Sequence, residues 1–321
     1  MFALDVSIGK ADMNIILLRK EELSEGCFSF SKTDERFLHI KKVLKLGVGS
    51  TFKAGIIDGE KGTAEIISFS DELLTARFSA SAEQAPDNGD CPSSALPHIR
   101  LILGFPRPIQ LRRILRDVAG LGIEALYLTG TELGEKSYLQ ADIAAEAEIE
   151  RLLIDGCSQA GETHIPTVYR AYSLRHFFDR YEDEILPDHL RAVLDVPFQV
   201  EQDKIDQAHI ERKPIEQNRI VHGEDSNLYT PAIYPLPQLQ WDGAKTLWLA
   251  VGNERGWSLN ERLLFAKKRF TVYGMGQRIL RTETAVTSAV AVCLALSGAW
   301  NTASTEGRDE SRSGKRNIIA D

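Results

Sequence analysis

The chain has 321 residues, 43% of them hydrophobic, and a formal net charge of −8. That length has room for two domains with separate cores. The acidic balance excludes a protein held to nucleic acid by an overall positive field, so any RNA contact must come from local basic patches. Cys27, Cys91, Cys157 and Cys293 form no C-x-x-C pair and stand beside no histidine at ligand spacing. Their isolation argues against structural zinc or disulfides and for a reducing cytoplasm. Asp5 interrupts any signal-peptide pattern, and the apolar run from Val286 to Leu296 is too short to span a bilayer, so no membrane is expected.

From Met1 to about residue 80 the pattern is mainly β. A short helical piece, Phe37 to Leu44, precedes two strand-like runs, Thr51–Ile57 and Thr63–Phe69, joined through Asp58-Gly59. Asp-Gly between such runs is a hairpin signal. Leu73–Phe78 offers another strand, and a small β-barrel is the expected result. Residues 81–97 are rich in Ala, Ser and Pro and read as a linker.

From residue 98 the style changes. Ile99–Leu103 is an apolar strand, and Leu111, Ile114, Leu115 and Val118 then recur on one helix face. Gly120 and Gly122 should stop that helix before a strand over Ile123–Leu128. Asp142 can cap a helix whose core face holds Ile149, Leu152 and Leu153, and Ala192–Val196 reads as a further strand. Alternating strands and helices imply an α/β domain with a mostly parallel sheet. Residues 198–240 carry many prolines and no period, which suggests an irregular insertion, and 299–321 reads as a disordered tail.

The best site lies between. Leu247–Val251 is a buried strand ending in Gly252-Asn253-Glu254-Arg255-Gly256, and Ser258 and Glu261 have capping-box spacing for a helix starting at about Leu259. Phe270–Tyr273 is a second strand, ending in Gly274-Met275-Gly276-Gln277-Arg278-Ile279-Leu280-Arg281 before a helix opening at Thr282. In open α/β sheets ligands sit beyond the carboxyl ends of the strands, so neighbouring strands would let both loops border one crevice. Gly274-Met275-Gly276 has the start of a dinucleotide fingerprint, but Ile279 stands where its third glycine belongs, which speaks against a nicotinamide enzyme.

Arg278 and Arg281 sit just ahead of a helix N-terminus, either as surface arginines, one paired with Glu283, or as groups aimed at a ligand. Glu254 is a general-base candidate or a brace for its own turn. Two basic patches, Arg107, Arg112, Arg113 and Arg116 on the first helix of this domain and Lys41, Lys42 and Lys45 in the first domain, are solvated faces or phosphate contacts. No hydrolase triad or metal cage stands out.

These residues carry a family resemblance. His39-Ile40-Lys41-Lys42-Val43-Leu44-Lys45, Ala119-Gly120-Leu121-Gly122-Ile123, Ser158 to Pro166, Val251 to Glu261 and, above all, Gly274 to Ala285 match motifs of the bacterial small-subunit (16S) ribosomal RNA uridine-N3 methyltransferases of the SPOUT class. The chain resembles that family over most of its length. The resemblance implies a PUA-like barrel, a trefoil-knotted methyltransferase domain over 98–298, a homodimer and ribosomal RNA as partner. It also implies S-adenosylmethionine bound between the two loops. It would be held by Leu249, Val251, Gly252, Glu254 and Gly256 on the first loop. On the second it would meet Tyr273, Gly274, Met275, Ile279, Leu280, Arg281, Thr282 and Glu283. Arg281 is the candidate for stabilising charge on the uracil ring. Asn253 and Arg255 replace the family's proline and glycine, and Glu162 reverses the charge of an arginine. An arginine where the backbone must take positive φ or lie against the cofactor would strain or block the pocket. A catalytically silent RNA-binding relative is therefore the alternative.

Overall fold

In the strand Leu247–Val251, Leu247, Leu249 and Val251 enter one apolar cluster while Trp248 and Ala250 enter another. Burial on both faces with a period of two is what a parallel sheet covered by helices on each side requires. The computed structural model describes residues 14–81, 97–140, 145–197, 200–201, 228–229 and 231–300. Most of the expected linker, most of 198–240, Asp142 and the tail from 301 lie outside them.

The first domain is built from β1 (Ile16–Leu18), β2 (Cys27–Ser31), α1 (Glu35–His39), β3 (Thr51–Ile56), β4 (Lys61–Phe69) and β5 (Leu73–Ala80). Its sheet runs β1-β3-β4-β5-β2, with β1 parallel to β3 and the other pairs antiparallel. β1 and β2 are its two edges, so the barrel is half closed. Asp58 takes φ 52° in the β3–β4 turn, as the Asp-Gly signal requires. Phe28, Phe30, Phe37, Ile40, Ile66 and Leu74 fill the core. The helical piece at 37–44 divides into α1 and a π-type turn over Ile40–Leu44, closed by Lys45 at φ 53°.

The second domain comprises β6 (Ile99–Gly104), α2 (Pro108–Leu121), β7 (Ala125–Thr129), α3 (Glu146–Ala160), β8 (Thr167–Ala171), α4 (Leu174–Tyr181), β9 (Leu190–Leu194), a short pair β10 (Val200–Glu201) and β11 (Leu228–Tyr229), β12 (Tyr234–Pro235), β13 (Leu247–Val251), α5 (Leu259–Lys267), β14 (Thr271–Gly274) and α6 (Thr282–Leu296). Seven strands pair in parallel in the order β12-β14-β9-β13-β6-β7-β8. Helices α2, α3 and α6 cover one face, and α4 and α5 the other. No helix among the described residues is long and apolar enough to cross a membrane.

Leu111, Ile114, Leu115 and Val118 of α2 are fully buried, each worth about 1.5–3 kcal/mol relative to exposure. Pro108 occupies the first turn, where its missing N–H costs nothing, and Gly122 ends the helix in a left-handed cap at φ 74°. Gly120, expected to stop α2, lies inside it facing the α3 crossing, where the close approach is made by Gly156 of α3. The strand expected at 192–196 begins two residues earlier, because Leu190 pairs with Leu247 of β13. The expected irregular insertion is corrected at its end: β12 joins the sheet edge beside β14, and Leu236, Leu239 and Trp241 are buried in the main core.

The domains meet where the β3–β4 turn touches the end of α3. The Ile15 amide donates to the Ser158 carbonyl, the Thr163 hydroxyl donates to the Gly59 carbonyl, and Lys61 pairs with Glu162 at 2.7 Å. The charge-reversed Glu162 thus serves the domain junction. Beside it the His164 ring lies 2.9 Å from the Asp58 carboxylate. Hydrogen bonding to Asp58 raises the imidazole pKa above 6.5, and the same bond lowers Asp58 below 3.8. The raised histidine contributes stability that is full below pH 6.5 and lost as pH rises through its folded value. The lowered aspartate contributes above pH 3.8 and loses it as pH falls. Both groups are more than one-third exposed, so the effect should stay under about 1 kcal/mol. We expect His164→Gln to narrow the difference in Tm between roughly pH 5.5 and pH 8; an unchanged difference would remove the pair from the junction's energetics.

Candidate active site

The two glycine-bent loops do not follow neighbouring strands. β9 lies between β13 and β14, pairing with both, so three carboxyl ends line the site in the order β13, β9, β14. The third loop, Asp195–Pro197, was missed from sequence; the signal was an acid and a proline after an apolar run. The Asp195 amide donates to the Tyr273 carbonyl at 3.0 Å, and its carboxylate holds Arg262 of α5 through two bonds of 2.7 and 3.0 Å.

The first loop is a tight turn in which Asn253 bridges Gly256 and Gly256 takes φ 70°. A Cβ on Gly252 would stand 3.0 Å from the Gly256 Cα, so the turn folds closely on itself. Asn253 accepts the Arg255 amide at 2.9 Å through Oδ1 and donates to the Thr131 hydroxyl at 2.7 Å through Nδ2. It thereby supplies by hydrogen bonding the rigidity a proline would supply by its ring. The positive φ falls on Gly256 and not on Arg255, so Arg255 carries no backbone strain. Its side chain is 62% exposed and turns toward the β7–α3 loop, donating to the Leu133 carbonyl at 3.2 Å and pairing with Glu135 at 2.7 Å. Arg255→Gly should therefore leave cofactor affinity within about twofold and cost under about 1 kcal/mol of stability, read by calorimetry and thermal melting. A large gain in affinity would show the arginine obstructing the site.

Glu254 accepts the Arg107 amide at 2.8 Å, a bond that ties this loop to the β6–α2 loop and does not lie within its own turn. Ser258 and Glu261 form the expected capping box at α5. Glu261 is 4% exposed and also accepts the Glu132 amide at 2.9 Å, and burial pushes its carboxyl pKa up. Leu249 and Val251 are buried within β13, so only their backbone edges border the site.

On the second loop, Gly274 ends β14, Met275 packs against the main core, and Gly276 turns the chain at φ 90°. Burial raises the Tyr273 phenol pKa, keeping that wall neutral. Leu280 is half-buried, whereas Ile279 is 91% exposed. Thr282 is buried at the first position of α6. Arg278 and Arg281 are exposed, and neither has a side-chain partner among the described residues. The expected pairing of one of them with Glu283 is replaced by Arg113 of α2, 3.4 Å from Glu283. The other Glu283 oxygen is buried and unpartnered among the described residues.

The basic patches fare unevenly. Arg112 pairs with Glu148 and Arg116 with Asp155, so both stitch α2 to α3. Lys41 pairs with Asp71 at 2.8 Å and lies over the Phe37 ring. Lys42, Lys45 and Arg107 stay open to phosphate. No group of three metal-ligating side chains lies among the described residues.

The loops fit a nucleoside cofactor on one further observation. Gly256 and Gly276 both take positive φ, and a Cβ on either would meet nothing within 4 Å. Bare backbone facing open space is what close approach of an adenosyl group needs. A family model described as an RNA methyltransferase domain matches residues 93–294, and one described as an RNA methyltransferase PUA domain matches residues 33–79. The chain is 40% identical to ribosomal RNA small subunit methyltransferase E of Treponema pallidum over 90% of this chain and 93% of that relative. It is 27% identical to ribosomal RNA small subunit methyltransferase E 1 of Borreliella burgdorferi over 86% and 95%. Its fold matches a crystal structure of ribosomal RNA small subunit methyltransferase E from Neisseria gonorrhoeae bound to S-adenosylmethionine, with TM-score 0.61, 18% identity and coverage of 88% and 98%.

Proposed function

Because the chain belongs to the RNA methyltransferase family represented by ribosomal RNA small subunit methyltransferase E, we propose that it methylates N3 of one uridine in small-subunit ribosomal RNA, using S-adenosylmethionine. The observation that carries this reading is the second loop: a bare Gly276 turn, then unpartnered Arg278 and Arg281, then the N-terminus of α6. Backbone of Gly252, Glu254, Gly256, Gly274 and Met275 would hold the cofactor, with Tyr273, Leu280, Thr282 and Glu283 around it. Bound there, the cofactor supplies an electrophilic methyl group. The protein's part is to align that group with the uracil nitrogen and to stabilise negative charge as the ring loses its proton. Arg281, exposed and free of partners among the described residues, suits the second role.

The silent alternative rested on Arg255 and the charge-reversed Glu162; Arg255 bonds outward to Leu133 and Glu135, and Glu162 pairs with Lys61 at the domain junction, which weighs against it. A trefoil knot belongs to the same proposal. It is supported by β9 lying between β13 and β14, and by α6 returning from the sheet edge to pack on α2 and β13. We also infer a homodimer, for which the exposed Ile279, Thr284 and Ala295 offer small and apolar contacts, and a cytoplasmic site of action set by the RNA substrate.

The test is mass spectrometry of small-subunit ribosomal RNA from a deletion strain, together with calorimetry using S-adenosylmethionine. Loss of one methyluridine, restored by the wild-type chain, is expected. Unaltered RNA, or no heat at millimolar cofactor, would overturn the reading.

A further inference from the structure

Beyond the three loops, a cavity of about 350 Å³ opens at the carboxyl ends of β6, β7 and β8. Its volume sits at the small end of ligand sites, right for one ring system. Phe105, 4% exposed, gives it an apolar wall, and Thr131, Glu132, Glu135 and Lys136 from the β7–α3 loop supply polar edges. At its mouth stands Tyr172, 83% exposed at the end of β8. The Tyr172 ring is tilted at 44° to the His176 ring, 5.2 Å between centroids, and with most of its surface still in water it offers an aromatic surface of the kind on which unpaired bases stack.

The cavity is held in shape by the first loop of the methyl-transfer site. Thr131 accepts from Asn253, keeping its own hydroxyl proton to donate. Glu135 pairs with Arg255, and Glu132 is held by Ser258 and Asn260. Asn253 and Arg255, which depart from the family's first-loop motif, are thus both bonded to this wall. With both carboxylates engaged, Lys136 remains as a cation without a partner among the described residues. β7 lies two strands from β13, about 10 Å at the usual sheet spacing, within reach of a nucleotide adjoining one bound at the β13 loop.

We propose that this cavity is a second nucleobase subsite, which takes a base flanking the methylated uridine, stacked on Tyr172, with its phosphate near Lys136. The proposal rests on the RNA methyltransferase reading. The adenine of the cofactor has the same stacking chemistry, and the experiment separates the two.

A fluorescein-labelled single-stranded RNA oligonucleotide covering the methylated uridine is titrated against wild type, Tyr172→Ala, Tyr172→Phe and Lys136→Ala, and S-adenosylmethionine is titrated calorimetrically against the same proteins. Loss of a stacked base should weaken RNA binding of Tyr172→Ala by about 5- to 100-fold, with Tyr172→Phe within about twofold of wild type. Lys136→Ala should reduce the salt dependence of RNA binding by about one phosphate contact. Cofactor affinity should be unchanged throughout. An abasic nucleotide at one flanking position should abolish the difference between wild type and Tyr172→Ala. RNA binding indifferent to Tyr172, or no RNA binding by the wild type, overturns the subsite; loss of cofactor affinity in Tyr172→Ala assigns the cavity to adenine instead. Methyl transfer is measured separately, so a protein that binds RNA through Tyr172 but transfers no methyl group sinks the enzymatic reading and not this one.

Discussion

Replacing Arg281 with alanine should lower kcat for methyl transfer by roughly 10²- to 10³-fold, the usual cost of removing one preorganised donor to developing charge. The side chain has no structural partner to lose among the described residues, and its backbone carbonyl still accepts the Ala285 amide at 2.8 Å, so α6 keeps its first turn. Stability should change by less than about 0.5 kcal/mol, as for surface substitutions generally. The split between kcat and cofactor Kd decides the role. A lower kcat with unchanged Kd marks charge stabilisation on the uracil, and a weaker Kd with unchanged kcat marks cofactor binding only. Wild-type kinetics in the alanine variant would remove Arg281 from the site altogether.

Gly156→Val should destabilise the second domain by about 3 kcal/mol or more, a drop in Tm of roughly 6–12 °C for a domain of about 200 residues. A Cβ at Gly156 would lie 2.3 Å from the Arg116 carbonyl oxygen and 2.9 Å from its Cα. Both are backbone atoms of α2, which carries four fully buried side chains and the Arg112 and Arg116 ion pairs to α3, so neither helix can yield cheaply. Gly120 provides the internal control. It faces the same crossing, but its Cβ would meet the Gly156 carbonyl at 3.6 Å, an ordinary contact. Gly120→Ala should then be neutral or stabilising by up to about 1 kcal/mol through helix propensity. Equal losses in both variants, read by thermal melting, would show that the crossing is not the constraint.

Sequence patterning alone determined which segments are strands and helices wherever a segment's own residues decide. The capping box at Ser258 and Glu261, the α2 face from Leu111 to Val118 and the Asp58-Gly59 hairpin are local, because propensity, caps and turn chemistry act within a few residues. The motif from Gly274 to Ala285 likewise carried the family, since a loop that binds a cofactor through backbone must keep its glycines at defined positions.

Other features depended on what lies across space. That β9 divides β13 from β14 follows from strand order, which no local pattern encodes. That Glu162 meets Lys61, that Glu283 meets Arg113 and that Arg112 and Arg116 are tied to α3 depend on partners distant in the chain; charge in sequence does not tell a paired side chain from a free one. Arg255 is the clearest case. Read along the chain it threatened strain and obstruction, and tertiary structure reversed both: the turn moves the positive φ to Gly256, and Glu135 draws the guanidinium outward. Backbone conformation is shared out among the residues of a turn, and a long side chain goes where its partner is, so both were decided only once the β7–α3 loop had folded against it.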